Sequence, residues 1–416
     1  MKKTLLAIAA LAPLALALLY GWVHEPALPA LPAPPKPDSA LVAAGARVVA
    51  LGDCMVCHTA PHGMPYAGGL PLRTPFGTIY STNITPDPET GIGRWSQEAF
   101  RRALRRGVAR DGHLLYPAFP YTHYTRMTDA DIDAAWHYLM SRTPVHAEPR
   151  ANDLLFPLTW RPLLAFWNAL YLKTGDGAPP AATGAVARGR YLADTLGHCG
   201  SCHSGLTLAG GERQPPFGGG MIDGWTAPAL TRLTQGPAPW TESELADYLR
   251  TGLSRGHGAA KGPMRPVTER LADVPGEDVA ALAAWLMSIQ QPAATATHTA
   301  VAARPAATGQ ALFEGACAGC HATAAPMMRL AARPALARSS AVLGEHPATF
   351  IQTVLQGIAW PADQHGQAGP YMPAFAATLT DAQIATIAAD VRAAAGVPAW
   401  PDTERESARL RKELPR

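Results

Sequence analysis

Charge and hydropathy divide the chain into unlike stretches. After Met1-Lys2-Lys3, the 20 residues Thr4 to Val23 carry no charge, about the length of a membrane-crossing helix. Tyr20 and Trp22 stand where interfacial aromatics belong. The run reads as an uncleaved anchor; a cleaved signal peptide, cut near Ala15-Leu16-Ala17, is the alternative. Both readings send the remainder across the membrane, because the lysines stay inside. Pro26 to Pro37 then holds six prolines in twelve residues. It predicts a stiff spacer of roughly 37 Å, at ~3.1 Å per residue, holding the rest of the chain off the membrane surface.

Beyond the spacer, apolar positions recur at helical spacing in three repeated units. Each unit opens on a short helical segment with a glycine: Gly45, Gly189 and Gly309. Each closes on an amphipathic helix. Thr128-Asp129 starts one with Ile132, Ala135, Trp136 and Leu139 on a face; Gly276 to Met287 repeats the pattern with Val279, Leu282 and Leu286; Thr380-Asp381 begins a third with Ile384, Ile387 and Val391. Between them, Trp95-Ser96 answers Trp240-Thr241, each hydroxyl a helix N-cap candidate, and each helix ends in Leu-Arg followed by Gly107 or Gly252. His346-Pro347 to Gly357 is a shorter version, and Phe76-Gly77 answers Phe217-Gly218. The expected class is all-α, three tandem modules behind an N-terminal anchor.

One stretch outside the repeats is strongly apolar. Leu154 to Leu172 has the length of a span, but Arg161 at its middle and two prolines oppose one. A short helix beginning at Pro162 puts Leu163, Phe166, Trp167, Leu170 and Tyr171 on one face. That face is either an interdomain strut or a surface for the membrane interface or a partner subunit. The expected organisation is an anchor or signal segment at 1–25, the spacer at 26–40, modules at 41–145, 181–290 and 307–396, linkers at 146–180 and 291–306, and a charged tail from 397 to 416 running into solvent.

Cysteine placement turns the repeat into chemistry. All six cysteines fall in three C-x-x-C-H pentapeptides: Cys54, Cys57 and His58; Cys199, Cys202 and His203; Cys317, Cys320 and His321. This is the attachment pattern of c-type haem, with two thiols adding to the haem vinyls and the histidine as proximal iron ligand. A zinc site needs no histidine directly after each pair, and a thioredoxin-like site needs a βαβ context that is missing. Three covalently bound haem c groups are expected. Aromatic residues make up only 7% of the chain, consistent with haem filling much of each core. A formal charge of +3 gives no reason to expect nucleic acid.

The second axial ligand decides what such a haem does. Methionine closes the iron and raises its potential; an open position permits ligand binding or catalysis. Met127, Met264 and Met372 come after their proximal histidines by 69, 61 and 51 residues, each just before a closing helix. Pro263 and Pro373 flank two of them. For the first haem, His113 and His123 compete with Met127. Met140 and Met287 read as core, Met64 lies too close to His58, and Met221, Met327 and Met328 are weaker alternatives.

The three motifs, Thr82-Asn83-Ile84-Thr85-Pro86-Asp87 with Gly91-Ile92-Gly93, Leu115 to Tyr121, and Met372-Pro373-Ala374-Phe375 together resemble the triheme cytochrome c subunit of membrane-bound bacterial dehydrogenases. The resemblance runs from Gly45 to Gly396 and includes partners of alcohol, gluconate/sorbitol and aldehyde dehydrogenases and of nicotinate- or isoquinoline-type molybdenum hydroxylases. It implies an electron-transfer subunit without a catalytic site of its own. The implied partner is a molybdenum-, pyrroloquinoline quinone- or flavin-dependent catalytic subunit, the acceptor ubiquinone or another respiratory component, and the location the periplasmic side of the inner membrane. Many alcohol dehydrogenase members carry a ligating Met where this chain has Phe119, which leans the partner towards an aldehyde- or nicotinate-type molybdenum enzyme. The rivals are a free-standing carrier, a terminal-oxidase cytochrome subunit, and a haem peroxidase with one open iron.

Overall fold

The computed structural model describes residues 25–178, 182–292, 307–326, 328, 335–360 and 371–414. The expected anchor falls in residues 1–24, outside the described residues. Among the described residues no helix is long and apolar enough to cross a membrane.

The longer helices, in chain order, are α1 (Ser39–Leu51), α2 (Gln97–Arg106), α3 (Asp129–Met140), α4 (Leu163–Tyr171), α5 (Ala185–Tyr191), α6 (Glu242–Thr251), α7 (Met264–Leu271), α8 (Gly276–Ser288), α9 (Ala307–Ala316), α10 (Ala348–Gln356), α11 (Asp381–Ala394) and α12 (Thr403–Lys412). Their ends obey the sequence. Ser96 and Thr128 accept from the backbone N–H of Ala99 and Asp131, while Thr241 with Glu244 and Thr380 with Gln383 close full capping boxes. Gly107 and Gly252 stop α2 and α6 in left-handed backbone at φ 63° and 71°, where a Cβ is penalised.

The opening glycines explain how opening and closing helices meet. A Cβ on Gly45 would stand 2.0 Å from the Ala134 carbonyl oxygen of α3. One on Gly189 would stand 1.9 Å from the Ala281 carbonyl of α8, and one on Gly309 2.9 Å from the Asp390 Cβ of α11. In all three repeats the helices cross at a glycine.

The fold is mostly helical, but small antiparallel sheets add to the expected all-α pattern. β1 (Pro71–Thr74) pairs with β2 (Gly77–Tyr80), and β2 with β3 (Asp153–Leu154). β4 (Gly220–Ile222) pairs with β5 (Trp225–Ala227), β6 (Leu253–Ser254) with β7 (Gly258–Ala259), and β8 (Ile358–Ala359) with β9 (Tyr371–Met372). The Phe76-Gly77 and Phe217-Gly218 echo marks the turn of the first hairpin and the approach to the second.

The described chain forms two compact units. One runs to Thr183 and includes Tyr191–His198; the other holds Gly184–Arg190 and Cys199–Arg416. Of the run before the second C-x-x-C-H motif, Gly184–Arg190 belongs to the second unit and Tyr191–His198 to the first. There the Tyr191 hydroxyl accepts from the Thr128 N–H at 3.0 Å, and His123 Nδ1 donates to the Asp194 carbonyl at 2.7 Å. In the second unit, α10 meets β5 through the Thr226 N–H and Thr349 Oγ1 at 3.1 Å, and Arg232 pairs with Glu345 at 2.9 Å.

Two expectations are corrected. The proline-rich stretch is no free spacer. Leu28 and Leu31 donate to the Arg110 and Arg94 carbonyls at 2.7 and 2.9 Å, and the Arg102 guanidinium holds the Pro26 carbonyl at 2.6 Å. Proline leaves extended backbone with spare carbonyls, and the arginines that take them lie 63 to 82 residues on. The charged tail does not run into solvent either. α12 packs back on the second unit, with Leu410 fully buried against Ile351, Ile384 and Trp400. Arg411 Nη2 donates to the Leu379 carbonyl at 2.7 Å, and Ser407 Oγ to Asp381 Oδ1 at 2.7 Å. Thr403, Ser407 and Leu410 form a helical face that the surrounding charges conceal.

Candidate haem sites

Each C-x-x-C-H pentapeptide folds as one helical turn. The histidine N–H bonds the first cysteine's carbonyl at 3.0 Å in the first two motifs and 2.9 Å in the third. One turn places positions i, i+3 and i+4 on one side, so both sulfurs and the imidazole share a face. None of the six cysteines is in a disulfide. Burial, then Asp53 and Cys57, pushes the Cys54 thiol up to about 12, and burial also raises Cys317.

Two of the expected proximal histidines are held from behind. His58 Nδ1 lies 2.6 Å from the Thr82 carbonyl and His203 Nδ1 2.7 Å from the Pro228 carbonyl. A carbonyl only accepts, so Nδ1 carries the proton and Nε2 keeps its lone pair for iron. Burial lowers the pKa of both imidazoles against the opposing pull of those carbonyls, which favours the neutral, ligating form. The histidine carbonyls are fixed too, by the N–H of Gly68 at 2.8 Å and of Gly219 at 2.7 Å. Gly68 takes φ 76°, and a Cβ there would stand 2.4 Å from the Thr82 carbonyl carbon. Cysteine pairs outside any disulfide and oriented imidazoles fit a covalently attached haem. His321 occupies the same kind of turn, Ala318–His321.

Thr82 is fixed by the motif directly after it. Asn83 Nδ2 donates to the Val145 carbonyl at 2.7 Å, and its Oδ1 accepts from the Thr85 N–H and hydroxyl at 2.9 and 2.8 Å. Asp87 Oδ1 takes the Glu89 and Thr90 N–H groups at 3.1 and 2.7 Å.

The three expected distal methionines occupy different settings. Met127 is buried, its N–H on the Tyr124 carbonyl at 2.9 Å. The Tyr124 hydroxyl reaches the Gly52 carbonyl at 2.8 Å, which draws this turn to the start of the first motif. Met264 opens α7, half-buried, after Gly262. A Cβ on Gly262 would stand 2.4 Å from the Trp225 ring of β5, the strand leading to Pro228. Met372, on β9, packs with Cys317 against the core of Ile351 and Ile384.

The competitors sit elsewhere. His113 is exposed and 2.6 Å from Asp111, and the His123 ring is turned to Asp194. Met64 and Met221 are exposed, Met140 is buried in α3, and Met327 lies outside the described residues. Phe119 packs beside Tyr124 and Tyr121, with ring centroids 5.6 and 6.2 Å away. The Thr82 and Pro228 carbonyls escaped sequence reasoning. Their only signal is position, just past β2 and β5, because a carbonyl belongs to every residue.

Residues 304–389 match the family described as cytochrome c oxidase, cbb3-type, subunit III. Over 97% of its length the chain is 46% identical to a nicotinate dehydrogenase subunit of Pseudomonas putida, and it spans 34% of that longer protein. It is 36% identical to the gluconate 2-dehydrogenase cytochrome c subunit of Pantoea cypripedii, covering 91% of each chain. It is 35% identical to the cytochrome c subunit of the quinone alcohol dehydrogenase of Gluconacetobacter polyoxogenes, over 86% of this chain and 81% of the other.

Proposed function

Because the chain belongs to the family of cytochrome c subunits of bacterial dehydrogenases, we propose that it takes electrons from a catalytic dehydrogenase subunit and hands them to ubiquinone or another respiratory acceptor. It does so as three haem modules on the periplasmic side of the inner membrane, tethered through Thr4 to Val23. The observation that carries the reading is the repeated arrangement of thiols, imidazole and backing carbonyl at His58 and His203.

Haem c supplies a one-electron couple at each site. Cys54 and Cys57, Cys199 and Cys202, and Cys317 and Cys320 would hold it covalently. His58, His203 and His321 would be the proximal iron ligands, and Met127, Met264 and Met372 the distal ones. The Thr82 and Pro228 carbonyls keep Nδ1 protonated and the rings fixed, which limits rearrangement when the charge changes. Met127 is itself buried, so its sulfur would meet the first iron away from bulk water.

The partner is read as a molybdenum enzyme of nicotinate or aldehyde type. Phe119 in place of a ligating Met and the 46% identity to the nicotinate dehydrogenase relative support this over pyrroloquinoline quinone or flavin partners. The match of residues 304–389 to a cbb3-type oxidase family favours a second reading, a terminal-oxidase cytochrome. It covers only the last module, whereas the dehydrogenase relatives align along nearly the whole chain.

Purification from membranes in mild detergent separates the readings. Copurification with a large subunit carrying molybdopterin, and reduction of this chain on adding that subunit's substrate, is expected. Copurification with copper and haem b would move the assignment to an oxidase, and a solitary triheme chain would make it a general carrier.

A further inference from the structure

The stretch Leu154 to Leu172 presents an apolar surface and contains none of the expected haem-binding residues. Phe156 is 88% exposed, Leu170 72%, Leu155 64%, Trp160 59% and Phe166 48%. The surface is displayed on a rigid support. Tyr116 donates to the Leu158 carbonyl at 2.9 Å, Tyr121 to Asn168 at 2.7 Å, and Ala165 packs with Val108 and Leu114. Arg161, the only charged residue from Leu154 to Leu172, is turned inward, donating to the Leu114 carbonyl at 2.7 Å and lying over the Tyr116 ring. Apolar area of this kind on a fixed scaffold signals an occupant.

Three observations say which occupant. First, the described chain begins beside this surface. Glu25 pairs with Arg106, and a Cβ on Gly112 would stand 2.1 Å from the Glu25 carbonyl oxygen. Gly112 is two residues from Leu114, on which α4 is seated. Glu25, two residues after the uncharged run Thr4 to Val23 in the sequence, is therefore held at the loop that leads to Leu114. Second, backbone donors here are used internally. The N–H groups of Leu155, Leu158, Trp160, Leu163 and Leu164 bond to the carbonyls of Phe76, Leu155, Pro157, Trp160 and Arg161 at 2.8–3.1 Å. Immersion away from water demands this. Third, Trp160, Trp167 and Tyr171 beside exposed Phe and Leu form the mixture that seats a protein at the headgroup level.

We propose that residues 155–171 are a monotopic membrane-seating surface, inserting Leu155, Phe156, Trp160, Phe166 and Leu170 into the outer boundary of the bilayer that Thr4 to Val23 enters. The seat fixes the orientation of the first haem module against the lipid, which a tether alone cannot do. The proposal rests on membrane attachment of the chain, and the test keeps the two apart.

The full-length haem-loaded protein is reconstituted in phosphatidylethanolamine–phosphatidylglycerol vesicles containing a lipid-borne photoreactive diazirine. Labelled peptides are then mapped by mass spectrometry. Labelling of both the N-terminal peptide and 155–171 is expected, with the Thr403–Lys412 helix unlabelled. Labelling of 155–171 is lost in the F156S/L170S variant while the haem spectrum is unchanged. N-terminal labelling alone overturns the seat and leaves the tether standing. Labelling of 155–171 alone keeps the seat and removes the tether. If 155–171 stays unlabelled and is protected from aqueous hydroxyl radicals only when the catalytic subunit is bound, the surface is a protein interface and the proposal fails.

Discussion

Gly189 lies so close beneath Ala281 that a Cβ on it would stand 1.9 Å from the Ala281 carbonyl oxygen. The obstacle is backbone, so no side-chain rotation relieves it. Gly189→Ala must drive α5 and α8 apart, at a cost of about 1–3 kcal/mol. Gly276→Ala in the same α8 has only the end of Arg250 nearby, at 3.7 Å, and should stay within about 0.5 kcal/mol of the parent. Thermal unfolding of the haem-loaded proteins compares them directly; equal Tm values would mean the crossing tolerates a methyl group.

Met264→Ala should open the second iron. Electron paramagnetic resonance is expected to show one high-spin haem in three, and cyanide should bind that site quickly. Met221 is 47% exposed, and Met221→Ala should leave the spectrum as it was. The reverse pattern would transfer the ligand role to Met221.

Leu410→Ala removes a fully buried side chain from the core shared by α10, α11 and α12. A loss of about 2–5 kcal/mol is expected, as for other buried leucines. Hydrogen exchange should place the loosening in α11 and α12 while α1 and α3 keep their protection. A silent substitution would mean that α12 contributes nothing to the fold.

His257 is stacked on Trp240 at 3.6 Å, and its buried Nε2 has no hydrogen-bond partner among the described residues. Burial lowers its pKa, with Glu244 opposing and Arg338 reinforcing the shift; Ser340 Oγ lies 3.4 Å from Nδ1. The unfolded chain, with an imidazole near ~6.5, takes up its proton first as the pH falls. The stability this group contributes is therefore present above about pH 6.5 and is lost as pH falls towards the lowered folded value. His257→Gln should flatten the fall in Tm between about pH 7.5 and about pH 5.5. An unaltered slope would assign the acid sensitivity to other groups.

What could be read in the chain was what is local. The C-x-x-C-H turn needs only i, i+3 and i+4 on one face, and capped helices such as Thr241–Gly252 announce both their ends within a dozen residues. The closing helices and opening glycines likewise repeat in the sequence. The resemblance to dehydrogenase cytochrome subunits rested on such local words, and the relatives bear it out.

Tertiary structure decided what depends on partners far along the chain. Pro26 to Leu31 became a strap because Arg94, Arg102 and Arg110 come round to take its carbonyls. The C-terminal charges hid a face whose meaning required the core around Ile384. His58 and His203 are held by carbonyls 24 and 25 residues away. Side-chain chemistry is written in the sequence, but a backbone carbonyl is the same at every position, and only the fold selects which one meets the histidine.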